Sequence, residues 1–179
     1  DIEKQIKEKE SELENWKKSD ELKEYRDLEE EMKERKQEIS RLKSEISSSA
    51  SVLERGLKKL LYKAENSDLE LKNKQILGEI RDGEIKRTID SDPENVEKAV
   101  SQLYDKKDEI EDLRKDKVNG AIETFENIRK IQDDIIDKRD RISDLNNKIW
   151  NNNAIDKLKK IEKDLQELKA KKKDKKTQL

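Results

Sequence analysis

Asp90, Asp92 and Glu94 stand at alternate positions, the spacing with which a calcium-binding loop begins to set out its oxygen ligands. Such a loop then needs a glycine for its sharp turn and a bidentate glutamate to close the coordination sphere, and Asn95 and Ser101 occupy those places. The same residues suit a helix start better, with Asp92 as N-cap and Pro93 at the first helical position. The chain has no His and no Cys. Imidazole bases, thiolate nucleophiles, Ser–His–Asp or Cys–His pairs, thiolate zinc sites and disulfides are therefore excluded. Gly56, Gly78, Gly83 and Gly120 are isolated from one another, which removes the Gly-rich loop that cradles a phosphate. Carboxylates abound, with 45 Asp and Glu beside 43 Lys and Arg; interleaved in this way they read as solvated or i,i+4-paired helix faces rather than tuned catalytic groups. The expectation is a protein that is not an enzyme and that uses no cofactor and no metal.

Two groups of residues are suited to binding instead. Leu57, Leu60, Leu61 and Tyr62 form the densest apolar cluster in the chain. They are the candidate protein-binding residues, provided that a helical tip exposes more apolar surface than it covers; the competing reading makes them the core that reverses the chain. Lys169, Lys171, Lys172, Lys173, Lys175 and Lys176 are the candidate anion-binding residues, for nucleic acid or an anionic membrane at roughly 1 kcal/mol per basic residue near a charged surface. A solvated, fraying helix end competes with that role, because Asp174 dilutes the run and no aromatic follows for stacking. A net charge of −2 also argues against a grip on nucleic acid along the whole chain. Trp16 and Trp150 are large for a helix seam and either mark outside contacts or, in the preferred reading, are buried stripe residues.

The elements that must position these groups follow from composition and period. At 30% hydrophobic against 49% charged, the chain lacks the material for a round core and must either be disordered or place its apolar residues in a narrow stripe. Four Gly and one Pro leave long helices unbroken, and no alternating β-branched runs supply a sheet. Tyr25, Leu28, Met32, Ile39, Leu42, Ile46, Leu53, Leu57 and Leu60 step by threes and fours, with the aliphatic stem of Arg35 filling one seam position. Ile2, Ile6, Leu13 and Trp16 make an earlier stretch whose phase slips near Ser19 and Asp20. A continuous helix with a stutter is expected there, with a break capped by Ser19 as the alternative. Asn66, Ser67 and Asp68 mark a helix end, Leu69 to Ile80 a short amphipathic helix, and Gly83 further punctuation. After Pro93 one helix is expected through Val96, Val100, Leu103, Ile110 and Leu113, past Gly120, to Phe125, Ile128, Ile135, Ile142, Leu145 and Ile149. Asn151 to Asn153 interrupt it before Leu158, Ile161, Leu165 and Leu168 resume the stripe.

Two heptad-bearing flanks around a broken, more apolar centre predict an all-α fold, an antiparallel coiled-coil hairpin with a small helical tip. Residues 1–48 make the ascending arm, 49–120 the tip region and 121–179 the descending arm with its Lys-rich end. The 48 residues of the ascending arm would span roughly 70 Å. A parallel homodimeric rod is the rival arrangement, disfavoured because short central helices bury their own stripes more readily in a tip. Facing the two best seams sets Ile46 near Ile135, Ile39 near Ile142, Met32 beside Ile149, Trp16 beside Leu165 and Leu13 beside Leu168. The Asn151 to Asn153 interruption then falls near Leu28, with a bend expected in that region. No apolar run reaches membrane-spanning length and the first residues do not resemble a signal peptide; with the absence of Cys, a soluble cytoplasmic location is expected. The chain opens at Asp1 already inside a helical pattern, as a piece of a longer protein would.

The heptads Ile39-Leu42-Ile46 and Ile135-Ile142-Leu145-Ile149, on a background rich in Lys, Glu, Ile, Asn and Asp, resemble the coiled-coil portions of the SMC/Rad50 class of chromosome-maintenance proteins and uncharacterised archaeal long coiled-coil proteins. The Cys-x-x-Cys zinc hook of that class and both Walker motifs are absent from this sequence, so no functional residue carries over and any ATPase head would lie outside it. The expected function is a structural or interaction module, a spacer or scaffold whose tip docks a protein partner. Electrostatic binding of nucleic acid or an anionic membrane through the Lys-rich end is the alternative, and a homodimer the alternative assembly.

Overall fold

The computed structural model describes residues 1–177, which are 87% helical and contain no strand. Gln178 and Leu179, the last two residues of the expected descending arm, lie outside the described residues. The α-helices are α1 (Ile2–Lys17), α2 (Asp20–Asn66), α3 (Lys74–Asp82), α4 (Lys86–Ser91), α5 (Pro93–Ser101), α6 (Asp116–Glu126), α7 (Ile128–Trp150) and α8 (Ala154–Thr177). Three short 3-10 helices, Gln102–Tyr104, Lys107–Glu109 and Glu111–Leu113, join α5 to α6. The chain divides into two compact units: Asp1–Arg35 together with the chain from Asp140 onward, and Lys36–Arg139. The expected boundaries at 48/49 and 120/121 both fall within the second unit.

In the first unit α1 lies against α8. Glu3 pairs with Lys172 at 2.8 Å, Lys9 with Asp164 at 3.4 Å and Glu10 with Lys169 at 2.8 Å. From Glu3 at one end of α1 to Trp16 at the other, the partners on α8 move from Lys172 back to Ala154, so these two helices run in opposite directions. Arg141 adds a two-pronged bond to Glu31, at 2.8 and 2.9 Å, the geometry in which a guanidinium holds a carboxylate most firmly.

The continuous helix expected through Ser19 is broken: α1 ends at Lys17 and α2 begins at Asp20. Ser19 makes the break stable, because its hydroxyl donates to the Trp16 carbonyl at 2.6 Å and accepts the Leu22 amide at 3.3 Å. One side chain thus satisfies a helix-end carbonyl and a helix-start N–H together. The reset phase lets Leu22 and Tyr25 bury against Ala154 and Leu158. Trp16 corrects the expected register. Its indole N–H donates to the Ala154 carbonyl at 3.0 Å, and the Lys157 ammonium sits 4.0 Å from its ring centroid. It therefore belongs at the start of α8, about three helical turns from Leu165. The Asn151–Asn153 interruption falls where the sequence places it, between α7 and α8, with the Asn152 side chain accepting the Ala154 amide at 2.8 Å. Ala154, the residue that follows it, meets Trp16 at the end of α1. Beyond Lys169 the lysine run stays helical to Thr177 instead of fraying.

The second unit has a contiguous apolar core drawn from every α-helix in it, including Leu53, Leu57, Leu60, Leu77, Ile80, Ile89, Val96, Val100, Leu103, Leu113, Ile122, Phe125 and Ile128. The single helix expected after Pro93 is replaced by α5, the three 3-10 helices, α6 and α7. Leu103, Ile110 and Leu113 have helical spacing, yet all three are buried because the chain folds over α2 in short turns. Two features of α2 accommodate that segment. A Cβ on Gly56 would overlap Leu113 Cδ2 and lie 3.0 Å from Leu113 Cγ, so the glycine opens the socket for Leu113. Asp112, 9% exposed, is then met by Lys59, by Arg55 at 3.6 Å and by Lys115 at 3.3 Å. The Lys59 hydrogen bond, followed by those of its cationic neighbours, holds the Asp112 carboxyl below the usual carboxylate range despite the opposing cost of desolvation.

The short helix expected from Leu69 starts later, at Lys74. Gln102 holds the preceding segment off the helical path by accepting the Lys72 amide (2.9 Å) and donating to the Lys72 carbonyl (2.6 Å), and Asn73 takes a left-handed φ of 54°. Gly83 ends α3 at φ 72°, with the Glu84 amide returning to the Glu79 carbonyl at 2.8 Å, as a left-handed helix terminus requires. Pro93 opens α5 as expected, while the Asp92 carboxylate accepts the Asn95 side-chain amide at 2.7 Å instead of capping the backbone.

Candidate functional site

The apolar cluster singled out in the sequence is core. Leu57 and Leu60 are fully buried and Leu61 is 6% exposed, so these three are not a docking surface. Tyr62 alone of the four faces solvent, at 69% exposure. The reason is helical phase: Leu53, Leu57, Leu60 and Leu61 share the face of α2 that packs into the core of the second unit, and Tyr62 stands one step round the helix from it. Of the six candidate anion-binding lysines, Lys169 and Lys172 are engaged by Glu10 and Glu3. Lys171, Lys173, Lys175 and Lys176 are exposed along the end of α8. Trp16 is half-buried, but Trp150 is 88% exposed, which overturns its reading as a buried stripe residue. Asp90, Asp92 and Glu94 do not converge: Asp90 accepts from Gln132, Asp92 from Asn95, and Glu94 pairs with Lys98. Among the described residues no group of three or more His, Cys, Asp or Glu is placed to hold a metal ion.

A cleft of about 880 Å³ lies wholly in the second unit. Its first wall is three turns of α2, carrying Lys43, Ile46, Ser47, Ala50, Ser51 and Glu54. The facing wall comes from the end of α3 and from α4, through Ile80, Ile85 and Ile89, and α7 closes the side with Ile135 and Ile136. Helical spacing builds each wall: Ile46, Ala50 and Glu54 repeat at four residues, as do Ile85 and Ile89. Ile80, Ile85, Ile89 and Ile135 have their bulk in the protein, whereas Ile46 is half-buried and Ile136 is 46% exposed. The cleft thus opens on solvent with an apolar lining. Serine and alanine on the α2 wall leave it wide.

Charge on the rim is unevenly engaged. Arg81 holds Asp82 through two bonds of 2.8 and 3.0 Å, which keep that carboxyl below its ordinary range. Asp90 accepts the Gln132 amide at 3.2 Å. Lys43, Lys86 and Arg139, in contrast, have no carboxylate at ion-pairing distance among the described residues. Lys43 and Arg139 mark the same end of the cleft, since the Lys138–Glu38 pair at 3.5 Å sets this part of α7 beside the preceding turns of α2. The site offers no nucleophile–base pair and no buried side-chain nitrogen or oxygen left without a partner among the described residues. What it can do chemically is cover apolar side chains and attract carboxylates.

The sequence carried signals for this cleft that period-seeking overlooked. Ile135 and Ile136 are adjacent, so they cannot both face one seam, and the second must look elsewhere. The Ile85–Ile89 pair identifies α4, a helix not anticipated between Gly83 and Pro93.

Set against known proteins, the chain matches no family model, no curated protein and no solved structure.

Proposed function

We propose that this chain is a structural and interaction module: an antiparallel coiled-coil arm, formed by its first and last segments, that presents a helical unit as a protein-docking element. The observation that carries this reading is the set of ion pairs between α1 and α8, Glu3–Lys172, Lys9–Asp164 and Glu10–Lys169, which joins segments from opposite ends of one chain. The separate core of Lys36–Arg139 supports a helical tip region. Such an arm is a spacer of the kind the SMC/Rad50 resemblance implies, acting in the cytoplasm and without catalysis. Among the described residues no helix is long and apolar enough to cross a membrane.

The test is intramolecular distance. Nitroxide labels at Glu14 and Lys169 should report a separation of about 10–20 Å, given helix axes roughly 8–10 Å apart, and that distance should survive dilution with excess unlabelled chain. Short distances that vanish on dilution would reject the hairpin in favour of a parallel homodimer. A second reading, anion binding through the end of α8, is favoured by the exposure of Lys171, Lys173, Lys175 and Lys176.

A further inference from the structure

Resting on that reading of a docking element, we propose that the isoleucine-lined cleft of the second unit is the docking site and that its occupant is an acidic amphipathic helix of a partner protein. Length, width and charge each support that choice. The α2 wall from Lys43 to Glu54 is about 16 Å long at 1.5 Å per residue. That matches a helix presenting apolar side chains at i, i+3, i+4 and i+7, the pattern by which helices lie in grooves. Ser47, Ala50 and Ser51 hold no bulk between the Ile46 and Ile85–Ile89 walls, so a helix can approach α2 closely. Ile136, exposed on the α7 side, supplies an apolar edge that a docked helix would cover.

Charge decides which helix. Of the acidic lining residues, Asp82 is paired with Arg81, Asp90 accepts the neutral Gln132 amide, and Glu54 stands at the far end of the α2 wall from Lys43, whereas Lys43, Lys86 and Arg139 have no ion-pair partner among the described residues. A helix bearing Glu or Asp beside its apolar stripe would pair with these three cations, while a basic helix would set like charge against Lys43 and Arg139. Lys43 and Arg139 share one end of the cleft, so acidic residues concentrated at one end of the occupant would also set its direction.

The experiment uses the full chain and two fluorescein-labelled 18-residue peptides with identical Leu stripes at helical spacing, one with Glu and one with Lys at all other positions. Fluorescence anisotropy should show saturable binding of the Leu/Glu peptide, at least tenfold tighter than that of the Leu/Lys peptide. Ile136→Glu should weaken the Leu/Glu peptide at least tenfold. The double variant Lys43→Glu/Arg139→Glu should invert the preference toward Leu/Lys, a gain of binding that a misfolded protein would not show. Equal affinity for both peptides, no saturable binding of either, or an unchanged preference in the double variant would overturn the proposal. So would concentration-dependent self-association abolished by Ile136→Glu, since a second copy would then be the occupant. Failure here with the Glu14–Lys169 distance intact would remove the cleft and leave the arm standing.

Discussion

Replacing Gly56 with Ala tests the socket that folds the chain over α2. In an open helix the substitution would stabilise by about 1 kcal/mol, because alanine loses less backbone freedom than glycine. Here the new Cβ would overlap Leu113 Cδ2 and stand 3.0 Å from Cγ, and Leu113 is fully buried with little freedom to turn aside. Overpacking of this kind costs about 1–3 kcal/mol, so the net expectation is a loss of about 1 kcal/mol. Leu113→Ala alone should cost about 2–5 kcal/mol through lost burial and the cavity left behind. Combining the two removes the overlap, since the remaining neighbour, the Asp112 carbonyl carbon at 3.8 Å, is at ordinary contact distance. In the Leu113→Ala background Gly56→Ala should therefore stabilise by about 1 kcal/mol, a coupling of about 2 kcal/mol between the sites. Urea denaturation followed by circular dichroism measures all four proteins. The same loss on adding Gly56→Ala in both backgrounds, to within about 0.5 kcal/mol, would show that Leu113 does not occupy this socket.

Asp112→Asn probes the cations around the same turn. Because the folded-state carboxyl titrates below its usual range, its contribution is full above the unfolded value of about 4 and is lost as pH falls through the folded value. The stability gap between wild type and Asp112→Asn should therefore be widest near neutrality and narrow in acid; thermal melts showing a constant gap would refute the pairing. Trp16→Phe removes the hydrogen bond to the Ala154 carbonyl and should cost the first unit about 1 kcal/mol, with Trp16→Phe unfolding compared by hydrogen exchange at Leu22 and Tyr25; unchanged protection there would count against the contact. Replacing Lys171, Lys173, Lys175 and Lys176 with Gln should abolish any salt-sensitive binding to duplex DNA or anionic vesicles seen in titration; binding that persists would place the anion site elsewhere.

Much of the local structure was legible from residue types. The helix end at Asn66, the start at Pro93 and the interruption at Asn151–Asn153 all stand where the sequence puts them, since capping and proline geometry act within a few residues. The Ser19 break was visible as a phase slip, but whether the helix bends or stops depends on what burying Leu22 and Tyr25 gains against Ala154 and Leu158, partners more than a hundred residues away.

The candidate site was less legible, for a related reason. Spacing says which residues share a helix face and leaves open which neighbour covers it. Leu57, Leu60 and Leu61 looked like a docking patch until the core of the second unit took them in. Ile46 looked like an ordinary stripe residue until α4 and α7 framed a cleft beside it. By itself the sequence determined that the chain would be helical and where several helices stop, because helix propensity, capping and the scarcity of glycine and proline are local properties of the chain. Only tertiary structure decided that Gly56 opens a socket for Leu113, that Asp112 is ringed by cations and that Lys43, Lys86 and Arg139 are left without ion-pair partners around an apolar cleft. Burial and ion pairing are set by distances between segments far apart in sequence, which no short-range pattern encodes.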